Sequence, residues 1–295
     1  MNFLKNWTLP IAMLVGALGY KVMDYLSFIT PYLIFTMLLL TFSKISLRDL
    51  RPRLSHLYLL CIEIIGAIAI YYLLAPFDPI VAQGMMICII CPTATAAAVV
   101  TGKLGGNVAS ITTYTLLCNI AVAFVIPALF PIIAPSANHT SFWAAFSHIM
   151  GRIFPLLICP FLLAQLIRLI APKINSKLSS ISGLAFYMWA IALTIAMGMT
   201  VRSLIEEPTD ITTLIYLSLG SLIACLFQFF TGKAIGKSTN DTIACGQSLG
   251  QKNTILAIWI CTAYLNPVTA LAPGLYVIWQ NFFNSTQLYL ARKKQ

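Results

Sequence analysis

Apolar residues fill the chain in ten long blocks separated by short polar joints, roughly over residues 7–22, 26–42, 57–74, 79–102, 107–133, 143–170, 184–201, 211–230, 241–264 and 267–289. A helix needs about 20 apolar residues to cross a bilayer, and fewer where it is broken or partly buried. The pattern predicts an all-α membrane protein of ten transmembrane helices. Two blocks are interrupted. The fourth carries Cys91-Pro92-Thr93-Ala94-Thr95, and the ninth holds glycines, Ser248, Gln247, Gln251, Lys252, Asn253 and Thr254 within residues 244–257.

The ninth block is the most informative. A full cation at mid-membrane costs about 2.5–3.5 kcal/mol on the translocon scale. Polar, glycine-containing backbone at that depth persists only inside protein or beside a cavity. Residues 244–257 therefore predict a broken helix at a solute or ion site, against the plainer alternative of a loop between two short interfacial helices. The fourth and ninth blocks are the fourth members of two five-segment halves, residues 1–135 and 136–295. An odd number of spans inverts the second half relative to the first. Paired interrupted helices in corresponding positions point to a transporter's binding site. Their N-terminal half-helix ends suit an anion, and their carbonyl ends a cation.

Composition agrees: 59% of residues are hydrophobic, 9% are charged and the mean hydropathy is +0.88. No joint is long enough for a soluble domain, which argues against a receptor or a membrane-anchored enzyme. The net charge of +10 first suggests nucleic acid or acidic lipid. Its placement suggests topology instead. With both termini cytoplasmic, the inner joints and tails hold Lys5, Lys44, Arg48, Arg51, Arg53, Lys103, Arg168, Lys173, Lys177, Lys233, Lys237, Arg292, Lys293 and Lys294, and the outer ones only Lys21 and Arg202. Fourteen against two follows the positive-inside rule and places a multi-pass protein in the cell membrane. The bilayer is then the expected partner, with no nucleic acid and no obligatory protein partner. Residues 1–20 resemble a signal peptide but read as a retained first helix, because more apolar blocks follow.

Other signals are weaker. The eight cysteines read as small apolar packing, Cys88-Ile-Ile-Cys91 included, since no βαβ pattern surrounds it. The sequon Asn138-His139-Thr140 reads as chance. Residues 232–238 resemble a phosphate loop, but Thr231 stands where glycine is required, so they read as a basic cytoplasmic loop. His56, in a basic joint, His139 and His148 form no cluster. Gln165, Gln228 and Asn119 read as interhelical hydrogen bonds. No catalytic or metal-binding constellation lies in the spans, and no nucleotide motif suggests ATP as a driver.

The order of several short motifs resembles the bile acid:sodium symporter family, whose bacterial members move small organic anions. These are Pro31-Tyr32, Ser46-Leu47-Arg48-Asp49-Leu50, Cys91-Pro92 with Thr95-Ala96, Gly106-Asn107-Val108-Ala109, Gly250 with Asn253, and Trp279-Gln280-Asn281. The resemblance implies two inverted five-helix repeats, with a panel of segments one, two, six and seven facing a core of the other six. It also implies crossed breaks and a solute near Thr95, Asn253 and Asn281, with Gln280 at a position where a relative has another polar residue.

The departures from the family fall on its sodium sites. A Ser-Asn pair is replaced by Ala97-Ala98. A Ser/Thr pair becomes Ile111 and Thr115, a glutamate becomes Ser248, and a glutamine becomes Lys252. Alanine and isoleucine offer no oxygen to a hard cation, and an ammonium repels one. Sodium coupling is therefore doubtful, and no other cofactor is expected. Lys252 would replace the cation, with Glu63, the acidic residue well inside a span, as its partner, against the alternative that Glu63 faces water near its segment end and Lys252 snorkels or contacts substrate directly. Thr115, Ser248 and Gln251 complete the ion or coupling set. The expectation is a secondary transporter of a small organic anion. Its alternatives are a sodium-independent proton-coupled carrier, exchanger, uniporter or exporter, and a membrane sensor that binds solute without moving it.

Overall fold

The computed structural model describes residues 2–134 and 141–293; the sequon and His139 lie outside them. The elements follow the apolar blocks. They are α1 (Asn2–Leu18), α2 (Tyr20–Tyr25), α3 (Thr30–Phe42), α4 (Leu54–Leu74), α5 (Pro79–Ile90), α6 (Ala97–Lys103), α7 (Val108–Ile133), α8 (Phe142–Ile170) and α9 (Pro172–Ser180). Then come α10 (Ser182–Glu206), α11 (Ile211–Ser238), α12 (Thr242–Gly250), α13 (Thr254–Tyr264) and α14 (Leu271–Lys293). Among the described residues, six stretches are long and apolar enough to cross a membrane: Tyr20–Phe42, Leu54–Leu74, Val108–Ile133, Phe142–Ile170, Leu184–Glu206 and Ile211–Ser238. Polar caps begin several of them. Asp78, Asn107, Ser141 and Asp210 each accept a backbone N–H of the following helix, satisfying donors that no preceding turn can reach.

The helices have one packed face and one bare apolar face. On α4, His56, Leu59, Glu63 and Ala67 are buried, whereas Tyr58, Ile65, Tyr72 and Leu73 are exposed. On α11, Leu217, Ser221, Ala224 and Gln228 face inward, and Ile215, Leu219, Ile223 and Phe230 outward. Soluble proteins rarely expose so much contiguous apolar surface; lipid satisfies it. Two packing groups are visible. The helices α1, α2, α3, α8 and α10 pack on one another, as do α4, α5, α7, α11, α12, α13 and α14, and α7–α8 and α10–α13 contacts join the groups.

Several joints differ from the sequence reading. The first block splits earlier than expected: α1 ends at Leu18 and residues 20–25, Lys21 included, are already helical. Lys173 and Lys177 lie on the helix α9. His56 is not in a loop but buried in the first turn of α4, its Nε2 2.9 Å from Ser110 Oγ. Residues 232–238 are not a loop either; they continue α11 to Ser238. Their glycines allow α11 and α12 to touch backbone to backbone. A Cβ on Gly232 would strike the Cys245 carbonyl, and one on Gly236 would strike Asp241 and Thr242. The expected basic loop is thus the last two turns of a helix, and its glycines serve a close helix–helix contact.

Replacing Gly232 with Ala is therefore expected to lower stability by about 1–3 kcal/mol through overpacking. Gly151→Ala, on α8 with nothing within 4 Å, is expected to leave stability unchanged or raise it. Thermal melts of the purified variants in detergent check this, and equal melts for the two would contradict the packing described.

Candidate functional site

Two interrupted helices meet at the centre of the second packing group. The first break follows from chemistry: Pro92 has no N–H and pushes the preceding residue out of the helical region. Cys91 accordingly adopts φ −62°, ψ 138° and ends α5. The second break, Gln251 to Asn253, contains no proline. It is held open by what its backbone bonds to instead. Asn253 N donates to Pro92 O and Ala94 N to Gln251 O, both at 2.8 Å, so that Thr93 and Lys252 face each other as an antiparallel bridge. Side chains take up the remainder. Lys252 N donates to Gln280 Oε1 at 2.9 Å, Tyr276 Oη to Gly250 O at 2.9 Å, and Thr93 Oγ1 to Ser248 O at 2.7 Å. Asn253 caps α13 through Oδ1, which accepts from Leu256 N at 3.3 Å. These freed groups are thus paired across the crossing, as backbone away from water requires.

Beside this crossing lies a buried ion pair. Lys252 Nζ is 2.7 Å from Glu63 Oε1, and the two side chains are 1% and 0% exposed. Glu63 stands near the middle of α4. Its Oε2 also accepts a hydrogen bond from Tyr114 Oη, and the Cys118 thiol donates to both carboxylate oxygens at 3.2 and 3.3 Å. Tyr114 and Cys118 lie one turn apart on the buried face of α7. The carboxylate is thus well supplied with donors. The ammonium is not supplied with acceptors: it has three N–H donors, and among the described residues Glu63 is its hydrogen-bond partner. The pair ties α4 to the second break, while Gln280 and Tyr276 tie α14 to it.

The other predicted residues divide. Lys252, Gln251, Gln280 and Asn253 come together at the crossing, although the amide oxygen of Gln251 is buried without a partner and only its backbone carbonyl bonds to Ala94. Ser248 is helical, inside α12, and contributes its carbonyl. Thr115 Oγ1 donates to Ile111 O of its own helix at 2.8 Å. Asn281 Nδ2 likewise donates to Val277 O at 2.7 Å. Thr95 is half-buried, with no protein hydrogen bond to its hydroxyl among the described residues. Of the polar residues assigned to helix packing, Gln165 donates to Ile45 O, and Gln228 to Cys88 O and Tyr276 Oη. Asn119 instead bonds within its own helix, to Thr115 O.

Sequence reasoning missed Thr93, Tyr114, Cys118 and Tyr276. Threonine, tyrosine and cysteine are ordinary in apolar helices, and only the i, i+4 spacing of Tyr114 and Cys118 placed them on one face. The cysteines are all free, but simple packing does not describe two of them, because Cys91 Sγ donates to Asn253 O at 3.2 Å and Cys118 to Glu63. A separate cavity of about 380 Å³ opens between α2, α10 and the last turns of α13. It is lined by Asp24, Phe28, Arg202, Glu206, Trp259 and Thr262. Arg202 pairs there with Asp24 and, at 2.6 Å, with Glu206.

Discontinuous helices that cross inside an apolar helical bundle are characteristic of secondary transporters. The model of the SBF-like CPA transporter family matches residues 52–292. The chain belongs to that transporter family, which is of the bile acid:sodium symporter type. No curated protein matches it.

Removing one partner of a buried pair leaves an uncompensated charge, at a cost of about 3–5 kcal/mol. Glu63→Gln and Lys252→Gln are each expected to melt well below the parent, and the double variant to recover most of the loss. A double variant no more stable than the worse single one would rule out a direct energetic link between the two charges.

Proposed function

We propose that the protein is a sodium-independent secondary transporter of a small organic anion, working by alternating access, in which Lys252 takes the place of a bound cation. The observation that carries this reading is the Lys252–Glu63 pair, closed at 2.7 Å beside the crossing. Sodium needs a shell of oxygen ligands. Ala97, Ala98 and Ile111 supply none from their side chains, the hydroxyl of Thr115 is turned to its own helix, and a buried ammonium would repel the ion. A fixed charge on the chain holds the broken helices in one arrangement with no ion from solution.

In this reading the ten apolar blocks are ten spans: α1, α2–α3, α4, α5–α6 and α7, then α8, α10, α11, α12–α13 and α14. They form two inverted repeats, residues 1–135 and 136–295, in the cell membrane with both termini cytoplasmic. The first packing group is the moving panel and the second the core. The solute lies between them, its carboxylate or sulfonate near Asn253, Thr95 and Asn281, with Gln280 holding the break. The panel-to-core position of the cavity at Arg202 and Trp259 supports a route to this site from one face. The Arg53–Asp241 pair and the Arg168 bond to Ser43 O join α8 and the joints that the positive-inside count assigns to the other face.

The test is flux. Proteoliposomes in potassium buffers, without sodium, are expected to take up at least one member of a panel of radiolabelled small carboxylates and sulfonates saturably. Lys252→Gln vesicles are expected to lose most of that uptake. Uptake that appears only with an inward sodium gradient would contradict the built-in cation. Binding without flux would identify a sensor instead.

A further inference from the structure

The electrostatic sum of the site constrains the carrier proposed above. One carboxylate and one ammonium lie at the crossing, both shut off from water, and their charges cancel. An organic anion arriving there would meet no free positive charge, because Glu63 already holds Lys252. We propose that a proton and the anion enter together. The proton goes to the carboxylate of Glu63, the anion then takes its place against the ammonium of Lys252, and one proton accompanies each monovalent anion.

The species balance. At rest the site holds Glu63 as carboxylate and Lys252 as ammonium, with net charge zero. Loaded, it holds Glu63 as the neutral acid, Lys252 still as ammonium, and the anion, again with net charge zero. The proton comes from solution and returns to it when the anion leaves, and no covalent bond to carbon changes. Neither half-step is favourable alone. Protonating Glu63 by itself strands a bare ammonium in a dry site, and adding the anion by itself crowds two negative charges around one positive one. Each therefore makes room for the other, which couples them. It also makes the loaded and empty site equally neutral, so movement of the core charge across the membrane is electrically silent.

The surroundings of the pair favour this exchange. The ammonium has N–H donors that no described residue accepts, so an incoming oxyanion finds donors ready. The carboxylate is held by Tyr114 and Cys118 of α7, whose hydroxyl and thiol rotate and are able to accept as well as donate; Glu63 as an acid can keep its place on α4 against them. The titratable groups facing Glu63 from every packed element are Tyr114 and Cys118 on α7, Lys252 at the break, Cys91 at the end of α5 and Tyr276 on α14. Lys252 is the one charged member of that set among the described residues. On α4 itself the nearest titratable group along the buried face is His56, two turns away and bonded to Ser110.

The inference rests on the carrier reading, yet it is tested by an equilibrium measurement that needs no flux. The probe is methanesulfonate, a small organic anion that stays ionised at every pH used, compared with gluconate at equal ionic strength in sodium-free buffer. The readout is the melting temperature, which a ligand of the folded state raises by mass action. The purified parent is expected to show a saturable upward shift of at least about 2 °C at pH 5.5 and a much smaller one at pH 8. Glu63→Gln, which fixes the neutral form, is expected to show the full shift at both pH values, and Glu63→Gln combined with Lys252→Gln none. In weakly buffered solution, methanesulfonate is expected to draw about one proton onto each parent chain.

A folded Glu63→Gln protein indifferent to methanesulfonate would overturn the proposal. So would a parent with no shift at either pH or an equal shift at both, and so would a double variant that keeps its shift. Should Glu63→Gln fail to fold, the parent's pH comparison and proton uptake decide alone. If vesicles move no solute while this linkage holds, the carrier reading is lost and the proton–anion site stands. If vesicles transport but the linkage is absent, the carrier stands and this coupling is lost.

Discussion

Backbone that leaves a helix away from water must find new hydrogen-bond partners, and the rest of this structure is arranged around meeting that demand twice at one place. Each break is the other's partner. Pro92 O and Ala94 N, freed by the proline, are the groups that Asn253 N and Gln251 O need. Neither interruption is stable alone at that depth, which is why they coincide in space although 160 residues separate them, from Pro92 to Lys252. The three helices α4, α7 and α14 then supply the side chains that finish the job: Glu63, Tyr114, Cys118, Tyr276 and Gln280.

The ion pair is a stranger element, because stability alone does not call for it. Two apolar residues of similar volume would often serve the fold as well as a buried charge pair. Its place beside the crossing is what the proposed function uses it for. In a symporter of the related type the positive charge arrives and leaves with sodium. Here it is covalently part of the chain and has a carboxylate against it. On the proposed function, a transport cycle built on that pair has to change either the protonation of Glu63 or the partner of Lys252.

Much of the fold was legible because its signals are physical and local. Hydrophobic blocks set the helices, Pro92 set the first break, and Lys252 among glycines marked the second. Glu63 stood out as an acidic residue inside an apolar block, and it does meet Lys252. What stayed hidden had no local signal. The second break contains no proline, so its three-residue extent depends on partners distant in sequence, and the reading placed it too broadly and counted Ser248 in it. Thr93 was passed over for Thr95, although Thr93 makes the bond across the crossing. Residues 232–238 were expected to be a loop because glycines and lysines end the apolar run there, yet the helix continues to Ser238 and those glycines pack against the next one. The intrahelical bonds of Asn281 and Thr115 were equally hidden, because a position in a pattern does not say where an amide or hydroxyl turns.

The central claim is that Lys252, and not an ion from solution, neutralises and holds the crossing. The most direct measurement is the melting temperature of the purified protein titrated with sodium against potassium at constant ionic strength, for the parent and for Lys252→Gln. Ligand binding to the folded state must raise that temperature. The account predicts no sodium-specific shift in the parent. A saturable rise specific to sodium in the parent would contradict it and return the site to ordinary sodium coupling.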